Sequence, residues 1–309
     1  MQVLRLGTRG SRLALWQAEY VARALSSQLT GVQIEIVTIK TKGDKILDVP
    51  LSKIGDKGLF TREIENELLA GKIDLAVHSM KDLPSLMGEG LCLGAVLARE
   101  NPQDVLISAH DYCLKTLPQG AVIGTSSLRR IAQLKSLRPD LKLVDMRGNV
   151  ETRIRKMEEQ GLDGIILAYA GVKRLGFEHC ISEIIAVEEI LPAVGQGAIA
   201  IELRAGDLKT ARLIEAINDL PTWLETTAER AFLARLEGGC QVPIACLAKT
   251  VAQHLKIHGL IASLDGSKVY QASIECDFSD IESSGQQLAE QLLDMGAGQI
   301  LTAIKLLGD

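Results

Sequence analysis

Residues 73–84 read IDLAVHSMKDLP, and this stretch decides the fold class. Its apolar start, at 73–77, is typical of a buried strand, and its polar end predicts a turn where that strand stops. The pattern upstream predicts a helix over 60–70, two strands over 3–7 and 32–39, and a helix over about 11–29. Strands that alternate with helices in this way indicate an α/β unit with parallel strands.

A second α/β unit is predicted after Asn101-Pro102. Ser126 or Ser127 is a candidate cap for its first helix, because a serine hydroxyl can accept a backbone N–H at a helix start. The first and second units both begin with a strand that ends in Gly-Thr, at Gly7-Thr8 and Gly124-Thr125. This weak match hints at two similar lobes.

The rest of the chain predicts a return to the first lobe and then a third unit. The segment from Leu191, LPAVGQGAIAIELR, is interpreted as the crossing back. A helix over 226–236 and strands over 255–264 and 267–274 follow. The Asp265-Gly266 pair between those strands is a strong hairpin signal.

Composition limits the classes of protein to which the chain can belong. Its 34 Lys and Arg against 39 Asp and Glu give a net charge of −5, which disfavours a protein that coats nucleic acid. No apolar run predicts a membrane span or a secretion signal. Six cysteines without a CxxC pair predict neither a disulfide framework nor a zinc site. We therefore expect a cytoplasmic protein with reduced thiols, no metal, and no nucleic-acid or membrane partner.

Positive charge is concentrated in the second unit. Between Ile123 and Gly176 there are 11 Lys and Arg against 6 Asp and Glu. Several of these arginines stand at strand ends and helix starts, where α/β proteins bind ligands. Guanidinium groups and helix N-termini both suit carboxylate or phosphate. The pattern favours an anion site, with a solvated basic face as the alternative.

Two other residues could carry chemistry. Asp82 follows a buried strand, so its carboxylate could hold a cationic or N–H-bearing substrate or move a proton, or it could simply cap a turn. Cys240 lies in the glycine-rich stretch GGCQVP, where it could form a covalent bond or be an ordinary buried thiol. The phosphate-loop and dinucleotide-binding patterns GxxxxGK[ST] and GxGxxG are absent.

The chain resembles the porphobilinogen deaminase family, whose members are also called hydroxymethylbilane synthases. The resemblance rests on eight stretches in family order: TRGSRLALWQ (8–17), GDKGLFTREIE (55–65), DLAVHSMKDLP (74–84), GTSSLRR (124–130), RGNVETR (147–153), LAYAGVKRLG (167–176), LPAVGQGA (191–198) and TAERAFLARLEGGCQVPI (227–244). Gly10 and Asp56 depart from the family pattern.

The resemblance implies a transferase of tetrapyrrole and heme biosynthesis. Such an enzyme joins four porphobilinogen molecules head to tail, expels ammonia at each addition, and releases linear hydroxymethylbilane by hydrolysis. The growing chain is built on a dipyrromethane cofactor, itself assembled from substrate and held by a thioether to Cys240. Family members tend to be monomers, and the product is expected to pass to uroporphyrinogen-III synthase.

The resemblance also implies roles for individual residues. Asp82 is the expected catalytic residue, and it also contacts the cofactor. The other expected cofactor contacts are Cys240, Lys81, Thr125, Ser127, Arg129, Arg130, Arg147 and Gly148. The expected substrate contacts are Arg9, Ser11, Arg153, Arg174 and Gln196. Lys57 and Phe60 are expected in a mobile loop. Arginines suit this substrate because each porphobilinogen carries an acetate and a propionate.

The implied fold is α/β, with two periplasmic-binding-protein-like (type II) lobes joined by hinge strands and a smaller C-terminal α+β domain. The expected boundaries are 1–98 with 198–216 for domain 1, 103–192 for domain 2, and 220–309 for domain 3. A non-catalytic two-lobed anion-binding or sensor protein is the alternative, but it leaves Asp82 and Cys240 without a role.

Overall fold

The computed structural model describes residues 2–45, 61–237 and 242–308. Its strands are β1 (Gln2–Arg9), β2 (Val32–Ile39), β3 (Leu75–Ser79), β4 (Leu91–Val96), β5 (Asp104–Ser108), β6 (Val122–Gly124), β7 (Lys142–Val144), β8 (Gly164–Ala168), β9 (Glu183–Ile184), β10 (Ile199–Arg204), β11 (Ile244–Val251), β12 (His254–Ala262) and β13 (Val269–Asp277). Its helices are α1 (Arg12–Gln28), α2 (Lys42–Lys45), α3 (Arg62–Leu69), α4 (Leu128–Leu137), α5 (Val150–Glu159), α6 (Tyr169–Arg174), α7 (Leu208–Ile214), α8 (Leu220–Arg235), α9 (Ile281–Leu292) and α10 (Gly298–Gly308).

The described residues form two compact units. The first unit contains 2–45, 61–100 and 197–223, and the second contains 101–196, 224–237 and 242–308. The chain therefore passes between the units at 100/101, 196/197 and 223/224.

The sheet of the first unit has the strand order β2-β1-β3-β10-β4. β1 pairs in parallel with β2 and β3, whereas β10 runs antiparallel to β3 and β4. Aliphatic side chains from the sheet and α1, such as Leu6, Val21 and Leu25, fill one core. The crossing predicted from Leu191 therefore ends in β10, which is an inner strand of this sheet.

The first sheet of the second unit has the order β7-β6-β8-β5-β9. β6 is parallel to β7 and β8, and β5 runs antiparallel to β8 and β9. Both sheets have the same order. Three parallel strands lie side by side, and the middle one comes first in the chain. The next strand in the sheet is antiparallel, and the chain enters it after leaving the other unit. This repeated order confirms the predicted periplasmic-binding-protein-like type II lobes.

The C-terminal part of the second unit is α+β, as predicted. β11, β12 and β13 form an antiparallel sheet, and its core includes Phe232 of α8 and Leu288 of α9. Gly259 makes this packing possible, since a Cβ there would lie 2.8 Å from the Phe232 ring.

Serine residues stand at the starts of α1 and α4, and only the one at α4 was predicted to be a cap. Ser11 caps α1, where its hydroxyl accepts the Ala14 N–H at 3.3 Å. The predicted serine cap of α4 is wrong. Ser127 stands at the N-cap without a side-chain cap bond, and the Ser126 hydroxyl instead donates to Met146 O and accepts the Met146 N–H. Among the described residues, no helix is long and apolar enough to cross a membrane.

Candidate functional site

The end of β3 presents the HSMKD stretch in the first unit. Met80 and Leu83 are buried, at 1% and 6% exposure, and they anchor a single helical turn over Met80–Asp82. Lys81 and Asp82 between these anchors are exposed. The strand thus holds the Asp82 carboxylate at the surface on a fixed backbone.

A pocket of the first unit opens beside Asp82. Its polar lining includes the predicted residues Arg9, Ser11 and Asp82, together with Gln17 and Ser79. The Gln17 amide donates to the Ser79 hydroxyl at 2.9 Å and is 2% exposed. Gln17 was not predicted as a pocket residue. Its place on the apolar face of α1, beside Ala14 and Ala18, could have indicated it, because a polar side chain on a buried face needs a partner.

His78 of β3 and Glu202 of β10 form a buried pair between neighbouring strands of the first sheet. His78 Nε2 lies 3.0 Å from Glu202 Oε2, and their side chains are 3% and 0% exposed. His78 also lines the pocket. Glu202 was not predicted because it stands within the apolar run IAIELR of β10, where the sequence gives no partner for it.

Arg129 and Arg130 are buried at the start of α4, at 6% and 5% exposure. Both guanidinium groups bind the Asp104 carboxylate, with Arg129 Nη1 to Oδ2 at 2.8 Å and Arg130 Nη2 to Oδ1 at 2.7 Å. Burial disfavours the ionised carboxylate, but the two arginines outweigh it and hold the pKa of Asp104 far below its ordinary range. Asp104 was not among the site residues predicted from the sequence.

Arg153 of the second unit is repelled by two other arginines. The pKa of Arg153 falls to about 10, first through burial and then through repulsion by Arg130 and Arg147. Arg153 Nε donates to Gly148 O at 2.7 Å. Gly148 has φ +122°, and a Cβ there would lie 2.8 Å from the Thr152 side chain, so a glycine is needed.

Two arginine nitrogen atoms stand out in this cluster. Arg130 Nε and Arg147 Nη1 are buried and have no hydrogen-bond partner among the described residues. Buried charged donors without partners are costly, so the cluster has the chemistry of a site for carboxylates supplied by a ligand. The residues present therefore fit a cofactor whose rings carry acetate and propionate groups.

The remaining predicted residues lie in several places. Thr125 is buried, and its hydroxyl accepts the Ser127 N–H at 3.3 Å. Gln196 is 1% exposed, and its amide donates to Pro102 O and to Asp104 Oδ1. Arg174 ends α6. Lys57, Phe60 and Cys240 lie outside the described residues.

The described residues hold no group of His, Cys, Asp and Glu side chains suited to a metal ion. Asp82, Arg9 and Ser11 belong to the first unit, and the arginine cluster belongs to the second. Fold and site together define a class: two type II binding-protein-like lobes with a buried cationic cluster and an added α+β domain.

Comparison with known proteins identifies the family within this class. The model "Porphobilinogen deaminase, dipyromethane cofactor binding domain" matches residues 4–212, and "Porphobilinogen deaminase, C-terminal domain" matches 223–294. The porphobilinogen deaminase of Syntrophomonas wolfei is 61% identical over 301 residues, which cover 97% of this chain and 98% of that protein. That of Moorella thermoacetica is 54% identical over 302 residues, with coverages of 98% and 96%.

Among solved structures, the periplasmic VFT2 domain of Bordetella pertussis BvgS aligns with a TM-score of 0.43 at 14% identity, covering 70% of this chain and 86% of that one. The sequence relatives and the family models decide the assignment. This chain belongs to the porphobilinogen deaminase family, as its motifs predicted.

Proposed function

We propose that this protein joins four porphobilinogen molecules head to tail, with loss of ammonia at each step, and releases hydroxymethylbilane by hydrolysis. The observation that carries the proposal is the buried arginine cluster of the second unit. Its two unpartnered guanidinium nitrogen atoms suit the acetate and propionate groups of the substrate, in a chain of this family.

The dipyrromethane cofactor supplies, when bound, the pyrrole carbon to which the first substrate is joined. We assign its thioether anchor to Cys240. The side chains and backbone expected to hold it are Lys81, Asp82, Thr125, Ser127, Arg129, Arg130, Arg147 and Gly148. Arginine forks bind carboxylates in two-pronged contacts, so this set fixes the ring substituents in place.

Asp82 is the proposed catalytic residue. Loss of ammonia leaves positive charge on the incoming pyrrole, and a fixed carboxylate stabilises that charge as it develops. The same carboxylate can accept pyrrole N–H groups. Arg9, Ser11, Arg153, Arg174 and Gln196 are the proposed substrate contacts. Arg9 and Ser11 line the same pocket as Asp82.

Intact-protein mass spectrometry tests the proposal directly. We expect the purified chain to carry the added mass of two linked pyrrole units and to gain single-unit increments after incubation with porphobilinogen. A chain that stays unmodified, even after incubation with preformed hydroxymethylbilane, would refute the enzyme and favour a non-catalytic anion-binding protein.

The anchor is tested by Cys240→Ser, with Cys113→Ser as the matched control. We expect Cys240→Ser to lack the added mass and Cys113→Ser to keep it, because only the former removes the proposed thioether sulfur. A cofactor still attached to Cys240→Ser would contradict the assignment.

We further propose that the enzyme works as a cytoplasmic monomer and passes its product to uroporphyrinogen-III synthase. The division into domain 1 (1–98 with 198–216), domain 2 (103–192) and domain 3 (220–309) is part of the same proposal. Light scattering at micromolar concentration checks the oligomeric state, and a dimer mass would overturn that part.

A further inference from the structure

Asp104 is the first residue of β5, and its carboxylate accepts hydrogen bonds from side chains in two other parts of the second unit. Oδ2 accepts Arg129 Nη1 at 2.8 Å, and Oδ1 accepts both Arg130 Nη2 at 2.7 Å and Gln196 Nε2 at 2.8 Å. The Asp104 side chain is 0% exposed. A single carboxylate therefore joins the start of α4 to the segment that returns to the first unit.

The hydrogen bonds of Arg130 show that its guanidinium group is held in one orientation. Nη2 is held by Asp104, and Nη1 donates to Ile166 O at 2.9 Å. Both ends of the guanidinium group are thus fixed, while the buried Nε has no partner among the described residues. The orientation of Nε follows from the two bonds that the group already makes.

Arg129 is fixed in a similar way. Its Nη1 donates to Asp104 and also to Leu191 O at 2.8 Å. Gln133, one turn along α4, donates to the same Leu191 O and accepts the Leu191 N–H. Arg129 is therefore bound both by the Asp104 carboxylate and by the backbone at Leu191, and Gln133 of α4 binds the same backbone.

The charges around Asp104 leave positive charge uncompensated. One carboxylate binds two buried guanidinium groups, and Arg130 and Arg147 repel Arg153, whose pKa is lowered although Asp145 acts in the opposite sense. Asp104 offsets enough repulsion to keep Arg129 and Arg130 together, but it does not neutralise the group. The remaining positive charge suits an anionic ligand.

We propose that Asp104 is a positioning residue, which orients Arg129 and Arg130 so that they can hold the carboxylates of the dipyrromethane cofactor. This inference rests on the proposed function and assigns a role to a residue that does not itself contact the ligand. Its consequence is that loss of the Asp104 charge impairs cofactor loading as well as stability.

The test compares Asp104→Asn with Asp104→Glu in the full chain. Asn turns one oxygen into an amide donor that faces a guanidinium donor, and it removes the charge. Glu keeps the charge but moves the carboxylate by one methylene. The readouts are the fraction of molecules with covalent cofactor by intact mass, the melting temperature, and KM against kcat for the loaded fraction.

We expect the loaded fraction of Asp104→Asn to fall about tenfold or more, in line with the loss of one charge-assisted contact. Asp104→Glu should retain the fold, with partial loading and a raised KM for porphobilinogen. The control is Asp140→Asn, which removes another Asp–Arg pair of the same unit, at 2.8 Å from Arg138. It should lower stability without changing loading.

Several results would overturn the proposal. Normal loading and KM in both Asp104 variants would do so, even with a lower melting temperature, because that pattern belongs to a purely structural ion pair. Failure of both variants to fold would also overturn it, since the ion pair would then serve folding itself. A wild-type chain that stays without the cofactor mass even after incubation with preformed hydroxymethylbilane would refute the proposed function instead, so the two failures are distinguishable.

Discussion

At the scale of single residues, Asp82 offers the cleanest test of the chemistry because it is exposed and not part of the core. Asp82→Asn keeps the shape of the side chain and removes the charge that stabilises the developing cation. We expect turnover of porphobilinogen to fall by about 10²–10³. The melting temperature should stay within about 1–2 °C of wild type, since exposed substitutions have small effects on stability.

The matched control for Asp82 is Glu89→Gln, an exposed acidic residue in the loop that follows. Steady-state turnover at saturating substrate should be unchanged in this variant. Equal turnover in Asp82→Asn and wild type would exclude an electrostatic role for Asp82.

Asp82 could be proposed as a site residue from the sequence because it belongs to a family motif, whereas Asp104 and Glu202 were not singled out. Glu202 interrupts an apolar strand sequence and Asp104 begins one, and each acid has a partner far away along the chain. Asp104 binds residues 25 and 92 positions away, and Glu202 binds His78, 124 positions away. Periodicity identifies the strand but carries no information on which distant cation satisfies a buried carboxylate.

At the scale of secondary-structure elements, Glu229 of α8 connects the C-terminal sheet to the crossing segment that starts at Leu191. The carboxylate is 0% exposed and accepts Gly195 N–H at 2.7 Å and Ala248 N–H at 2.9 Å. Glu229→Gln puts an amide donor against one of these N–H donors. We expect the free energy of unfolding to fall by about 2 kcal/mol, measured by urea denaturation.

Glu282→Gln, at an exposed position in the first turn of α9, is the control for Glu229→Gln and should change the free energy of unfolding by less than about 0.5 kcal/mol. Equal stability of the two variants would mean that the buried carboxylate of Glu229 does not hold these elements together.

The turn between α4 and β7 gives a prediction for pH. Hydrogen bonds from the Arg138 guanidinium and the Gly120 N–H hold the pKa of Asp140 well below its ordinary range. A pKa that is lower in the folded state contributes stability above the unfolded value, near 3.9, and that contribution is lost as pH falls toward the folded value. The stabilising effect of Asp140 should therefore be complete at neutral pH.

Unfolding free energies of wild type and Asp140→Asn, measured from pH 7 to pH 2, check this sign. The difference between them should be constant above about pH 5 and shrink as the pH falls below about 4. A difference that grows on acidification would contradict the depressed pKa.

At the scale of the whole molecule, the sequence predicted two α/β lobes and an α+β domain, and the structure has them. The strands that were missed are instructive. Two of them, β5 and β10, each enter a sheet antiparallel directly after the chain leaves the other unit, and their partner strands are not their immediate neighbours in a strand–helix alternation. The segment LPAVGQGAIAIELR was interpreted as a crossing because its Gly195-Gln196-Gly197 lets backbone pack closely, and the strand over 199–204 was not predicted. Whether such a segment forms a strand depends on its pairing with distant segments, which a local sequence pattern does not show.

The distribution of charge over the molecule leads to the last prediction. The chain carries −5 overall, yet residues 123–176 hold 11 Lys and Arg against 6 Asp and Glu. A substrate with two carboxylates is attracted by this local excess, and salt screens the attraction over about 10 Å at 0.1 M. We expect KM for porphobilinogen to rise several-fold between about 0.05 and 0.5 M potassium chloride, while kcat changes little, because binding depends on the field more than the chemical step does. Sucrose at matched osmolality is the control and should leave KM unchanged. A KM independent of ionic strength would show that the arginines act only through short-range contacts and do not attract substrate from solution.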